Sequence, residues 1–125
     1  MRIKEIDVGI MGHAWTIVSR TKAEDDRLEE IAGYTDPSMR MIVLLDAPRD
    51  KWSPVDMHGD LQATIRHEII HAFFYECGLW SDSAAHDHWA MNEEMIDWFA
   101  LKLPEIENAC RAVNAMPGQE LDVVA

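Results

Sequence analysis

His67-Glu68-Ile69-Ile70-His71 is the stretch of this chain whose residue types and spacing can do chemistry. On a helix, residues four apart sit about one turn apart on the same face, so the two imidazoles can converge on one metal ion. Glu68 falls one step round from His67, beside such an ion rather than on it. There its carboxylate can take a proton from water that the ion has acidified. A catalytic zinc site uses three protein ligands and one open position, so a third donor must come from elsewhere. Cys77 is a poor one: Phe rather than Gly stands at position 74, so the helix runs on and carries Cys77 about 9 Å along the axis from His71. Asn92-Glu93-Glu94-Met95-Ile96-Asp97 brings two adjacent carboxylates and an Asp one turn beyond Glu93. By themselves such acids also suit the start of a solvated helix.

Other polar residues carry weaker signals. His86 and His88, two apart in a polar segment, read as surface residues, with donation of a hydrogen bond to a developing oxyanion as the functional alternative. Tyr34 and Tyr75 could serve likewise. His13 and His58 have no partner pattern. Of the five Trp residues, Trp80 and Trp89 flank the segment between the two acid- and imidazole-bearing stretches, where one could wall a cleft; the rest suit a core. Cys77 and Cys110 make no disulfide framework or paired-Cys metal module, and read as apolar packing.

The elements that must position these groups follow from pattern. Ile3, Ile6 and Val8 alternate through Arg2–Val8, and Trp15–Ser19 is rich in β-formers, so with Gly12 between them they predict two short strands. Thr21-Lys22-Ala23-Glu24 is a capping box and predicts a short helix over Lys22–Ala32, stopped at Gly33. Tyr34–Ser38 reads as turn chemistry. Met39–Leu45 is nearly continuous apolar and predicts a strand covered on both faces. Ala47–Gly59, with Pro48 and Pro54, reads as a loop. Asp60–Cys77 is the long helix that carries the His pair, with Leu61, Ile65, Ile69, Ala72 and Phe73 as its core face and Gly78 as its stop. Leu79–Met91 connects. Asn92–Leu103 reads as a helix interrupted by Pro104, and Glu105–Met116 as a restart. Pro117–Ala125 predicts a flexible tail beyond a single domain over 1–116. Strands first and helices after give an α+β layout, with helices packed on one side of a small sheet.

Composition narrows the partners. A chain of 125 residues with 48% hydrophobic and 27% charged residues is ordinary for one globular domain. Eleven basic against 23 acidic residues, a net charge of −12, cannot supply the positive face that nucleic acid or an anionic membrane would need. A protein or peptide substrate stays open. No apolar run approaches a membrane span, and the start lacks an apolar secretory segment, so the expected location is cytoplasmic.

TIRHEIIHAFFYECGL followed by NEEMIDWFALKLPEI resembles the small HExxH proteins of phages and bacterial prophages, distant relatives of the ImmA/IrrE group. The likeness runs roughly from Met39 to Ile106. It implies a minimal zincin core: a small curved sheet, the active-site helix and a glutamate-bearing helix behind it. The location would then be the host cytoplasm. The acidic stretch resembles the N-E-x-x-x-D signature of the glutamate zincins. That resemblance makes Glu93 the third zinc ligand, with Glu94 as its rival, and Asp97 the acceptor that fixes a ligand imidazole, His67. Residues 93 and 97 share a helical face, and a ligating imidazole needs its other N–H held. The metzincin pattern does not fit, since position 77 is Cys rather than His. The function expected is that of a zinc metallopeptidase with Glu68 as general base. The alternatives are a non-catalytic interaction module with a structural or silenced zinc site, and a hydrolase of non-peptide amides.

Overall fold

The structure, a computed structural model, describes residues 1–78 and 93–124, without the side chains of residues 93, 94, 96, 97 and 100. The described residues form an α+β unit, a four-stranded mixed sheet with two long helices. Strands β1 (Ile6–Ile10), β2 (His13–Arg20), β3 (Gly33–Asp36) and β4 (Met41–Leu45) lie in the order β1-β2-β4-β3. The β1–β2 and β3–β4 pairs are antiparallel, and β2–β4 is parallel.

The first hairpin is set by its turn. Ile10 pairs with His13, and the two residues between them, Met11 and Gly12, both have positive φ (49° and 83°). That is the two-residue turn whose twist suits a hairpin. It moves the first strand to Ile6–Ile10, later than the Arg2–Val8 expected, because pairing must run up to the turn. Ile3 instead bridges to Val123.

The helix expected over Lys22–Ala32 does not form. The capping box is there, with Thr21 N donating to Glu24 Oε1 at 2.9 Å and Glu24 N to Thr21 Oγ1 at 3.2 Å. It closes a turn, followed by a 3-10 turn at Asp26–Leu28. Leu28 is the one buried apolar side chain of that stretch, too little to hold a full helix against the sheet. The chain then enters β3, where sequence pattern suggested only a turn. The turn itself comes at 37–40, with Arg40 N donating to Pro37 O at 3.3 Å.

Strand β4 is interior, with β2 on one side and β3 on the other. Ile42, Val43 and Leu44 are all fully buried, so both faces are covered as its continuous apolar run predicts. Helix α1 (Met57–Glu76) begins three residues before the expected start. Asp56 supplies the reason: its carboxylate accepts from Gly59 N at 2.8 Å and caps the first turn. Ile65, Ile69, Ala72 and Phe73 seat α1 on the sheet among Trp15, Ile17, Ile42 and Leu44. The helix ends at Cys77, with Gly78 at φ +87°. Its last turn is pinned by Glu76, which accepts from Trp15 Nε1 at 3.1 Å and Arg40 Nε at 2.7 Å.

Helix α2 (Glu93–Ala112) is continuous, not two helices parted at Pro104. Pro104 and its neighbours Leu101 and Leu103 are exposed, so the proline ring lies on the solvent side of the helix rather than in the core. Ile106, Ala109, Cys110 and Val113 bury the opposite side. The connection over residues 79–91 lies outside the described residues. Among the described residues no helix is long and apolar enough to cross a membrane.

Segment 117–124, expected to be a flexible tail, is tied down. Lys4 N donates to Asp122 O and Val124 N to Arg2 O, each at 2.9 Å. Leu121 is buried, and its N–H donates to His58 Nε2 at 3.0 Å. Gln62, itself buried, donates through Nε2 to the carbonyls of Asn114, Met116 and Gln119 at 2.9–3.0 Å. An amide nitrogen has two hydrogens, so at least one is shared among these three acceptors. No pattern in the sequence marks a lone Gln as such a clasp.

Candidate metal centre

Helix geometry brings His67 and His71 together as their spacing predicts. Their Nε2 atoms stand 3.1 Å apart, with the rings edge to face at 4.8 Å between centroids. Two nitrogens about 2.0–2.1 Å from a tetrahedral zinc lie roughly 3.3 Å apart, so the pair is spaced as two ligands of one ion would be. One neutral ring can also donate to the other at this distance. His67 is exposed and His71 half-buried. Burial pushes the His71 imidazole below its ordinary value; the Glu68 carboxylate opposes that shift and His67 adds to it. The net direction favours the neutral ring, the form that binds metal.

Glu68 is buried, and its donor atoms and those of the two histidines lie within 4.8 Å of one another. Thr35 on β3 holds it: the Thr35 hydroxyl is 3.2 Å from Glu68 Oε2 and 3.1 Å from the Glu68 backbone oxygen. A hydroxyl has one proton, so it serves one of these acceptors at a time. Thr35 escaped the sequence reading because it sits inside a Tyr-Thr-Asp-Pro-Ser run that looks like turn chemistry. The aromatic and β-branched pair Tyr34-Thr35 was the only hint of a strand.

An open groove of about 350 Å³ runs beside this cluster, lined by Gly33 and Ala32 at the start of β3 and by Ala63, Thr64, His67 and Glu68 of α1. Strand β3 is the sheet edge on this side, with β4 on its other flank. His67 and Glu68 therefore line a cleft between an edge strand and a helix.

Glu93 and Asp97 lie on α2 at helical spacing, but their side chains, with that of Glu94, are outside the described residues, as are His86, His88, Trp80 and Trp89. Cys77 is at the end of α1, its thiol donating to Phe74 O at 3.4 Å, away from the His pair. The Tyr34 hydroxyl donates to Asp25. Tyr75 packs edge-on to Trp15. His13 pairs with Glu76 at 3.3 Å, and His58 serves the C-terminal segment. Cys110 is buried in the core.

Comparisons with protein-family models, with curated proteins and with solved structures each give no match.

Proposed function

We propose that this chain is a zinc-dependent metallohydrolase acting on peptide bonds, built on a minimal zincin-like core. One observation carries the reading: two imidazole nitrogens 3.1 Å apart beside a buried carboxylate, at the mouth of an edge-strand groove. In it His67 and His71 would hold the ion through ring nitrogens, Glu93 would complete the set through a carboxylate oxygen, and Asp97 would accept from the outer N–H of His67. Bound zinc supplies Lewis acidity, polarising a carbonyl and lowering the pKa of water to about 7. Glu68 takes the proton from the attacking water and passes it to the leaving amine. Thr35 keeps the Glu68 carboxylate in the cleft rather than free to turn into solvent.

Strand addition to Met39–Leu45 is excluded, because β4 has a partner on both sides. Among the described residues β3 is the edge strand beside His67 and Glu68, and an extended peptide can pair there.

The test is metal content by elemental mass spectrometry of wild type, His67→Ala, Glu93→Ala and Glu68→Gln. The expected result is near one zinc per chain, lost or weakened in the first two variants and kept in Glu68→Gln, whose peptide hydrolysis falls by at least about 100-fold. No zinc in wild type at neutral pH overturns the proposal. A second reading draws on the burial of Glu68 within the cluster: the carboxylate itself serves as third ligand of a closed, structural site in an interaction module. Under it Glu68→Gln loses the metal.

A further inference from the structure

The groove beside the His pair does not end at Thr64. Ala32, Asp60 and Thr64 line both it and a second, mostly apolar pocket of about 180 Å³. The other walls of that pocket are Met1, Leu45 at the end of β4, Ala47 and Pro54 of the following loop, and Met57 and Leu61 of α1. The same loop exposes Trp52 (82%) and Val55 (95%), so apolar surface gathers around Pro54 and stays in water.

We propose that this pocket is a specificity site of the hydrolase, taking one apolar side chain of an extended substrate about three residues from the scissile bond. The inference rests on the metallohydrolase reading and adds the substrate class. Its distance comes from the helix. Leu61 precedes His67 by six residues, about 9 Å along the axis, and an extended peptide advances about 3.3 Å per residue. Its orientation comes from β3. Gly33 lies against Thr64 and Thr35 against Glu68, so β3 runs from the pocket toward the His pair. A peptide in the more stable antiparallel pairing with β3 runs the opposite way, which puts the pocket on the carboxyl side of the cut. The lining is mostly apolar, and Asp60 at the junction disfavours an acidic side chain there. Leu, Met, Ile and Phe suit it.

Two variants block the pocket. Ala47→Trp fills it from the loop. Met57→Glu places a carboxylate in it at the first turn of α1, where an acid suits the helix dipole and folding is kept. Zinc-loaded wild type is incubated with a synthetic decapeptide library, and cleavage sites are read by mass spectrometry. The expected profile is about fivefold or greater enrichment of Leu, Met, Ile or Phe around the third position after the cut, collapsing in both variants. Independently of turnover, N-acetyl-leucinamide titrated into methyl-labelled wild type shifts the Leu45, Met57 and Leu61 methyl resonances, and not in Ala47→Trp. Zinc-dependent cleavage without the enrichment overturns the pocket and leaves the hydrolase standing. Methyl shifts without any cleavage support the pocket and overturn the hydrolase instead. Absence of both enrichment and shifts overturns the inference.

Discussion

The carboxylate of Asp25 accepts from the Tyr34 hydroxyl, from Arg20 at 3.1 Å and from Arg27 N at 3.1 Å. The Tyr34 hydrogen bond chiefly, helped by Arg27 N and Arg20, holds its pKa down to about 2 against the opposing effect of burial. A carboxyl lowered in the folded state contributes stability that is whole above its unfolded value near 4 and is lost as pH falls toward 2. Tyr34→Phe should bring that loss on at higher pH, seen as an acid limb displaced upward in denaturation midpoints measured from pH 5 to 2. Since Tyr34 belongs to β3, the floor of the groove should loosen first, with Thr35 and Gly33 losing amide protection before α1 does. At this scale the His67-Glu68-His71 cluster was legible, because its spacing is that of the helix turn itself. Thr35, Asp25 and Gln62 were not, since each acts through a partner 9 or more residues away that no local pattern announces.

Elements tell a similar story. The hairpin around Gly12, the strand at Met41–Leu45 and the helix ending at Gly78 could be read, each from a period and a stop residue. Strand β3 could not, being four residues long and held by pairing with β4 rather than by its own composition. Its Gly33 shows how tight that pairing is: a Cβ there would come 2.9 Å from Val43 O and 3.4 Å from Thr64 Cγ2. Gly33→Ala should therefore cost about 1–3 kcal/mol in urea denaturation, as overpacking does. Helix α2 makes the opposite forecast. Pro104 sits in an exposed stretch of its interior, and its cost there is not offset by a described contact. Pro104→Ala should stabilise by about 1–3 kcal/mol, visible as a raised thermal midpoint. An unchanged or lowered midpoint would mean that the proline shapes α2 for a purpose.

For the whole molecule, the telling residue is Gln62. Gln62→Leu keeps much of its bulk but leaves the carbonyls of Asn114, Met116 and Gln119 without that donor. The expected loss is about 1–3 kcal/mol, with the Leu121 and Val124 amides exchanging faster while the β1–β2 amides stay protected. Segment 117–124 looked like a tail because it is short and ends in small residues. What holds it, a bridge to Ile3 and a clasp from Gln62, lies 57 to 120 positions away along the chain. That bridge also lays the two ends of the chain side by side, in antiparallel register. The backbone is thus nearly a closed ring, and the positions of its ends are almost arbitrary with respect to the fold. A circular permutant, joined from 124 to 1 by a short Gly-Ser linker and opened in the exposed loop near Lys51, should keep the sheet, both helices and the His67–His71 apposition.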